Sequence, residues 1–248
     1  IDNARVMSET ERLRSALLTS ISHDLRTPLA SVIGAVTSLR SYFEKYDAKE
    51  RDELMAIIQE EAERLNRFVG NLLDITRLES GALDMRTGKV DIDDLVETAL
   101  RRAVRILARH RVASHIAPDL PAVEADPVLL EQVLFNLLDN AAKYSNPGSL
   151  ICIDAKVAGS ELHIIISDEG EGIPQDEIEA IFDKFHRVDA GDRRPAGTGL
   201  GLAVCRGFVE AFGGHISAAN RLDGPGAVFT IALPSVPQIT PQTLKALA

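Results

Sequence analysis

Two long apolar stripes at the start of the chain, separated by almost nothing, constrain its fold more than any other feature. Leu13, Leu17, Ile21, Leu25, Val32, Val36 and Leu39 share one face of a helix expected from about Ser8 to Tyr46. Leu54, Ile58, Leu65, Phe68, Leu72, Ile75 and Leu78 form a second stripe, interrupted by Glu61, over a helix expected from about Ala48 to Leu78. The mixture of three- and four-residue steps is that of a coiled-coil seam. The connection around Asp47 is short, so the two helices should fold back antiparallel. A two-helix hairpin cannot bury its stripes alone. Pairing two hairpins into a four-helix bundle can, which makes the expected assembly a homodimer.

The 248 residues, 45% hydrophobic, suffice for this hairpin and a second domain with a real core. That core should be aliphatic, because aromatics make up only 4% of the chain and Trp is absent. A net charge of −10 argues against nucleic acid and anionic membrane surfaces as partners. Cys152 and Cys205 lie in apolar runs and read as small buried hydrophobes of a reducing compartment. His110, His115, His163, His186 and His215 show no metal-ligand spacing. No run approaches the ~20 apolar residues that span a bilayer, and no direct membrane contact is expected. The chain begins with Ile1. We read it as a cytoplasmic piece of a longer, inner-membrane-anchored protein.

Past Gly81, which closes the second helix, the pattern changes. We expect a helical domain over 1–85, a linker over 86–91 around Thr87-Gly88-Lys89, an α/β domain over 92–235 and a tail over 236–248. Helices are expected at Ile92–Ala108, Pro127–Tyr144 (with Asp126 as N-cap) and Leu200–Phe212. Strands are expected at Val112–Ile116, Ser149–Val157, Glu161–Ser167, His215–Asn220 and Ala227–Leu233. This is one sheet with helices on a face. The Gly-, Pro-, Asp- and Arg-rich stretch Gln175–Thr198 reads as a lid.

Five boxes stand out. In Ser22-His23-Asp24-Leu25-Arg26-Thr27-Pro28, His23 falls roughly opposite the apolar stripe at ~100° per residue. Small neighbours surround it, so a large partner could approach. Pro28 cannot donate to the Asp24 carbonyl and should kink the helix. Asn136, Asn140 and Lys143 share one helix face at i, i+4 and i+7. Amide oxygens suit Mg²⁺ and an ammonium suits phosphate, although a solvated polar face is an equal alternative. Asp168-Glu169-Gly170-Glu171-Gly172-Ile173 follows a buried strand. A carboxylate there can accept from an exocyclic amine, and the glycines let backbone approach a flat base. Phe182-Asp183-Lys184-Phe185-His186-Arg187 falls in the expected lid. Gly197-Thr198-Gly199-Leu200-Gly201 opens a helix, where free N–H groups and the dipole favour phosphate.

The order His-Asp-x-x-x-Pro, Asn-x-x-x-Asn, Asp-x-Gly-x-Gly, Phe-x-x-Phe, Gly-x-Gly-x-Gly resembles the sensor histidine kinases of two-component systems, from about Glu11 to Pro234. The run Glu11–Leu18 followed by Ser20–Ser31 is similar, more narrowly, to the KdpD subgroup of osmosensitive potassium sensors. The resemblance implies a dimerisation and phosphoacceptor domain followed by a Bergerat-type α/β sandwich that binds ATP. It implies that His23 takes the γ-phosphoryl, that Asp24 accepts a hydrogen bond from its ring, and that Thr27 orients water for phosphatase action on the partner. That partner is the receiver domain of a response regulator. For ATP it implies Asn136, Asn140, Lys143, Tyr144, Asp168, Gly170, Gly172, Ile173, Phe182, Phe185, Arg187, Gly197, Thr198, Gly199, Leu200 and Gly201, with Mg²⁺ on Asn140 and Asn136. Arg193 and Arg194 are further candidates to offset phosphate charge. Two alternatives stay open: a gyrase- or Hsp90-like ATPase, and a dimeric scaffold that senses nucleotide without turnover. Such ATPases carry a glutamate base where this chain has Asn136, and an amide cannot take a proton from water.

Overall fold

The computed structural model describes residues 21–22, 25–188 and 198–235. His23, Asp24, Arg193, Arg194, Gly197 and most of the first apolar stripe's start therefore lie outside the described residues. The chain divides into two compact units, Ile1–Leu73 and Asp74–Ala248. No helix among the described residues is long and apolar enough to cross a membrane.

In the first unit, helix α1 (residues 25–42) runs through a one-turn 3₁₀ segment, Phe43–Lys45, to helix α2 (Ala48–Ser80), whose last turns from Asp74 on belong to the second unit. The tight connection has a local cause. Glu50 N–H donates to Asp47 Oδ1 at 2.8 Å, and Asp47 N–H donates to Glu50 Oε2 at 2.9 Å. This reciprocal capping box satisfies two donors of the first turn. Arg51 lies 4.0 Å from the Phe43 ring and donates to the Phe43 carbonyl. Ser38 Oγ meets the Tyr46 hydroxyl at 2.6 Å. Ala35 and Phe68 are buried, yet Leu29, Ile33, Val36, Met55, Ile57, Val69 and Leu73 remain exposed. The single chain thus leaves a large share of the hairpin's apolar surface uncovered. At its far end α2 stops as expected: Gly81 (φ 66°) donates to Leu78 O and Ala82 to Arg77 O, a Schellman closure.

The second unit holds a five-stranded sheet of order β2-β4-β5-β7-β6. The strands are β2 (Arg111–Ile116), β4 (Leu150–Ala158), β5 (Glu161–Asp168), β6 (His215–Asn220) and β7 (Ala227–Pro234). β2 pairs parallel to β4, and every other neighbour is antiparallel. Strict alternation sends Ile151, Ile153, Leu162, Ile164, Ile166, Phe229 and Ile231 to one face. There they meet helices α3 (Ile92–Leu107), α4 (Pro127–Tyr144) and α5 (Gly201–Ala211), whose buried sides include Ala99, Leu134, Leu137, Leu138, Val204 and Phe208. Each fully buried Leu, Ile or Phe contributes about 1.5–3 kcal/mol, and this layer is the core. Asp91 caps α3 and Asp126 caps α4, the latter with Pro127 at the first helical position as expected.

Two expectations differ from what is seen. Residues expected as linker form a strand, β1 (Gly88–Val90), paired antiparallel with β3 (Val123–Ala125). Val90 and Val123 are buried in this small sheet. Three residues are too few to show alternation, so the sequence carries no periodic sign of it. Of the cysteines, Cys205 is fully buried as expected, but Cys152 is half-buried on the sheet face that the helices leave open. Both are free thiols.

Candidate nucleotide-binding site

The site gathers at the C-terminal half of α4 and at the ends of β5 and β6. Asn136, Asn140 and Lys143 form a half-buried stripe along α4, a helix otherwise buried on its core side. Asn136 Nδ2 is buried with no hydrogen-bond partner among the described residues. Its polar neighbour is the Cys205 thiol, which burial pushes up to about 12 against the opposing pull of the Asn136 side chain. A Cβ on Gly201, the first residue of α5, would sit 4.0 Å from Asn136 Cγ. The asparagine box and the glycine box therefore meet. Lys143 forms an ion pair with Asp139 one turn earlier, so its ammonium is already oriented.

The end of α4 also meets the Asp168 turn. A Cβ on Gly170 would come within 2.3 Å of the Tyr144 carbonyl oxygen and 2.8 Å of Asp168 Oδ1, so only glycine fits. Tyr144 itself is exposed. Asp168 is 4% exposed, and its Oδ1 accepts from Gly170 N–H at 2.8 Å and Ala227 N–H at 3.3 Å. No described residue donates to Oδ2. Burial pushes its carboxyl above the ordinary carboxylate range, against the pull of the two N–H donors and Arg221. Its neighbour Glu169 faces different work. It accepts from Leu150 N–H at 2.8 Å, which, with Arg221 and Arg111, holds its carboxyl low.

Gly172 (φ 79°) turns the chain, and Asn220 then clamps Ile173 from both sides. Ile173 N–H donates to Asn220 Oδ1 and Asn220 Nδ2 donates to Ile173 O, both at 2.7 Å. Sequence reasoning missed Asn220 and the Ala227 N–H. The one available sign was an asparagine ending a strand before the Gly-rich turn Asp223-Gly224-Pro225-Gly226.

Phe185 (φ 63°) donates its N–H to Gly199 O at 2.9 Å, and Gly199 (φ 66°) leaves no room for a Cβ beside Phe185 and His186. His186 pairs with Glu177, and Arg187 is exposed. Thr198 Oγ1 accepts from Leu200 N–H, and Leu200 is fully buried. Leu200 supplies no side-chain cap to α5, so the first-turn N–H groups keep donor capacity for an anion. Phe182 sits elsewhere: it is 3% exposed, edge-on to Phe229 and beneath Arg206, whose guanidinium is 4.4 Å from its ring. The first part of the expected lid, Ile181 and Phe182, is thus core packing. Asn136 with Gly201, Tyr144 with Gly170 and Asp168, and Phe185 with Gly199 are brought together; Phe182 is not among them.

Comparison with known proteins agrees with this geometry. The family described as "Histidine kinase-, DNA gyrase B-, and HSP90-like ATPase" matches residues 125–237, and the "His Kinase A (phospho-acceptor) domain" matches residues 13–81. The chain belongs to the sensor histidine kinases, of which these two domains in this order are the catalytic core. Its similar relatives include KdpD sensor proteins. It is 39% identical over 235 residues to the sensor protein KdpD of Clostridium acetobutylicum and 37% identical over 237 residues to that of Escherichia coli K12. Each match covers 94% of this chain, and the chain spans about a quarter (26%) of the length of either relative. Full-length ShkA, solved in complex with AMPPNP, is 27% identical with a TM-score of 0.64, over 90% of this chain and 46% of that one.

Proposed function

We propose that this chain binds ATP at the site above, phosphorylates His23 and passes the phosphoryl group to an aspartate of a response-regulator receiver domain. The observation that carries the nucleotide reading is Asp168. It is a buried carboxylate kept beyond its ordinary pKa range, with one oxygen held by backbone and none of the described residues on the other. That is the acceptor an exocyclic amine of adenine requires. The glycines at 170 and 172 give a flat base room to lie against backbone.

Asn140 and Asn136 would hold Mg²⁺ through their amide oxygens, the hard ligands that ion takes. When bound, that ion supplies charge neutralisation across the phosphates. Lys143, oriented by Asp139, and the uncapped start of α5 at Gly201 supply further positive potential, with Thr198, Gly199 and Arg187 beside it. A chain of net charge −10 needs these local sources to hold an anionic nucleotide. Transfer forms the N–P bond at His23 Nε2 as the bond to the ADP oxygen breaks. Asp24 accepts from the other ring nitrogen, and Thr27, four residues on, positions water when the regulator is dephosphorylated. ShkA's complex with AMPPNP supports the nucleotide reading. The exposed Leu29, Ile33, Val36, Val69 and Leu73 support a homodimer, because a second hairpin would cover them.

The test is incubation with γ-labelled ATP and Mg²⁺. Acid-labile, base-stable label on the protein, lost in His23→Gln while a fluorescent ATP analogue still binds, is the expected result. Free phosphate with unlabelled protein would replace this reading with an ATPase, and neither product would leave a nucleotide-sensing scaffold.

A further inference from the structure

The helix-free face of the sheet carries a second constellation that the nucleotide chemistry does not use. β2 and β4 run parallel with Ala113 opposite Cys152 and His115 opposite Asp154. Side chains two apart on a strand share a face, so Cys152 and Asp154 stand side by side on β4 with His115 beside them on β2. Cys152 Sγ lies 3.3 Å from His115 Nδ1, His115 Nδ1 lies 3.1 Å from Asp154 Oδ1, and Cys152 Sγ lies 3.6 Å from Asp154 Oδ2. One ligand atom from each residue falls within 4.8 Å of the others.

Each of those spacings is near an edge of a tetrahedron around zinc, the two to Asp154 running to its two different carboxylate oxygens. With Zn–S of about 2.3 Å, Zn–N of about 2.0 Å and Zn–O of about 2.1 Å at tetrahedral angles, the edges come to roughly 3.5 Å for S···N, 3.4 Å for N···O and 3.6 Å for S···O. With the three ligand atoms already within 4.8 Å of one another, turning the Asp154 carboxylate so that one oxygen serves both partners lets the triad close on an ion. The thiol, imidazole and carboxylate together suit a borderline ion and not Mg²⁺, which prefers an all-oxygen shell. The side chains of His115 and Asp154 are 68% and 38% exposed, so an ion can enter from solvent.

We propose that His115, Cys152 and Asp154 form a surface site for a Zn²⁺-class divalent ion, with the fourth position open to water. On binding, the Cys152 S–H proton leaves to solvent as the metal–sulfur bond forms, and the edge strand β2 is tied to β4 by a bond independent of the backbone ladder.

The chain itself supplies the readout. Cys205 has no exposure, so Cys152 is the reachable thiol. Chelator-treated protein titrated with Zn²⁺ should lose the reactivity of one thiol toward a disulfide reagent. Titration with Co²⁺ should give one sulfur-to-cobalt charge-transfer band per chain. His115→Ala and Asp154→Asn, substitutions at exposed or half-buried surface positions, should each weaken Co²⁺ binding at least ~10-fold, and Cys152→Ser should abolish the band. Nucleotide affinity should stay at the wild-type level in all three. Thiol reactivity unchanged by Zn²⁺, or equal metal affinity in wild type and His115→Ala, overturns the proposal.

Discussion

Replacing Asp168 by Asn separates a nucleotide-binding carboxylate from a structural one. The amide can keep its oxygen on the Gly170 and Ala227 N–H groups, now at 2.8 and 3.3 Å, so the turn has no reason to move. Its NH₂ then replaces Oδ2 and opposes the adenine amine, donor against donor. Losing a charge-assisted hydrogen bond costs about 1.5–3 kcal/mol, and an unsatisfied buried donor adds about 1–3 kcal/mol. The low end already approaches 3 kcal/mol, or roughly a hundredfold in Kd. Stability should go the other way. Burial raises the folded-state pKa of Asp168 above its unfolded value. The folded state therefore binds the proton more tightly, and stability falls as pH rises from the ordinary carboxylate range through the raised value. At neutral pH the ionised carboxylate opposes folding, so the neutral amide should unfold at the wild-type temperature or above. Nucleotide affinity of the wild type should fall as pH drops into the same window, because protonation removes the acceptor, and Asp168→Asn should lack that dependence. Calorimetric titration with an ATP analogue and thermal unfolding read the two effects. A Kd within about threefold of wild type, or lost affinity accompanied by a collapsed Tm, would refute the reasoning.

Gly170→Ala should destabilise the second unit by about 1–3 kcal/mol through overpacking, since the added carbon meets the Tyr144 carbonyl at 2.3 Å; thermal unfolding measures it, and nucleotide affinity should fall with it. Asn220→Ala removes both clamps on Ile173 and leaves its peptide groups unpaired, at about 1–3 kcal/mol; denaturant unfolding and analogue binding should both register the loss. Thr27→Ala should keep autophosphorylation and lose dephosphorylation of the labelled regulator; equal loss of both would reject the role given to Thr27.

What the sequence made legible was whatever is encoded locally. The alternation in Leu162, Ile164 and Ile166 marked β5, and Asp126-Pro127 marked the start of α4, because period and cap are properties of a few adjacent residues. The same holds for the Schellman end at Gly81. The residues proposed for nucleotide were legible as an ordered series of short boxes, and their convergence comes from the fold: the end of α4 lies against Gly170, and Asn136 lies near Gly201. Illegible were contacts made only by register. Asn220 reaches Ile173 across 47 residues, and His115 reaches Cys152 across 37, through a parallel pairing that no local pattern announces. Phe182 looked like its neighbour Phe185, yet a 3₁₀ turn directs it into the core against Phe229.

Asp126 does more than begin a helix. Its Oδ1 accepts from Val128 and Leu129 at the first turn of α4, and its Oδ2 accepts from the N–H of Arg86 at 2.8 Å. The strap of chain that enters the nucleotide unit is thereby hooked to the near end of a rigid rod. Asn136 and Asn140 ride on that rod, about 15 and 21 Å along at 1.5 Å per residue. One carboxylate thus serves both, with one oxygen on the strap at residue 86 and the other on the first turn of the helix that carries the two amides.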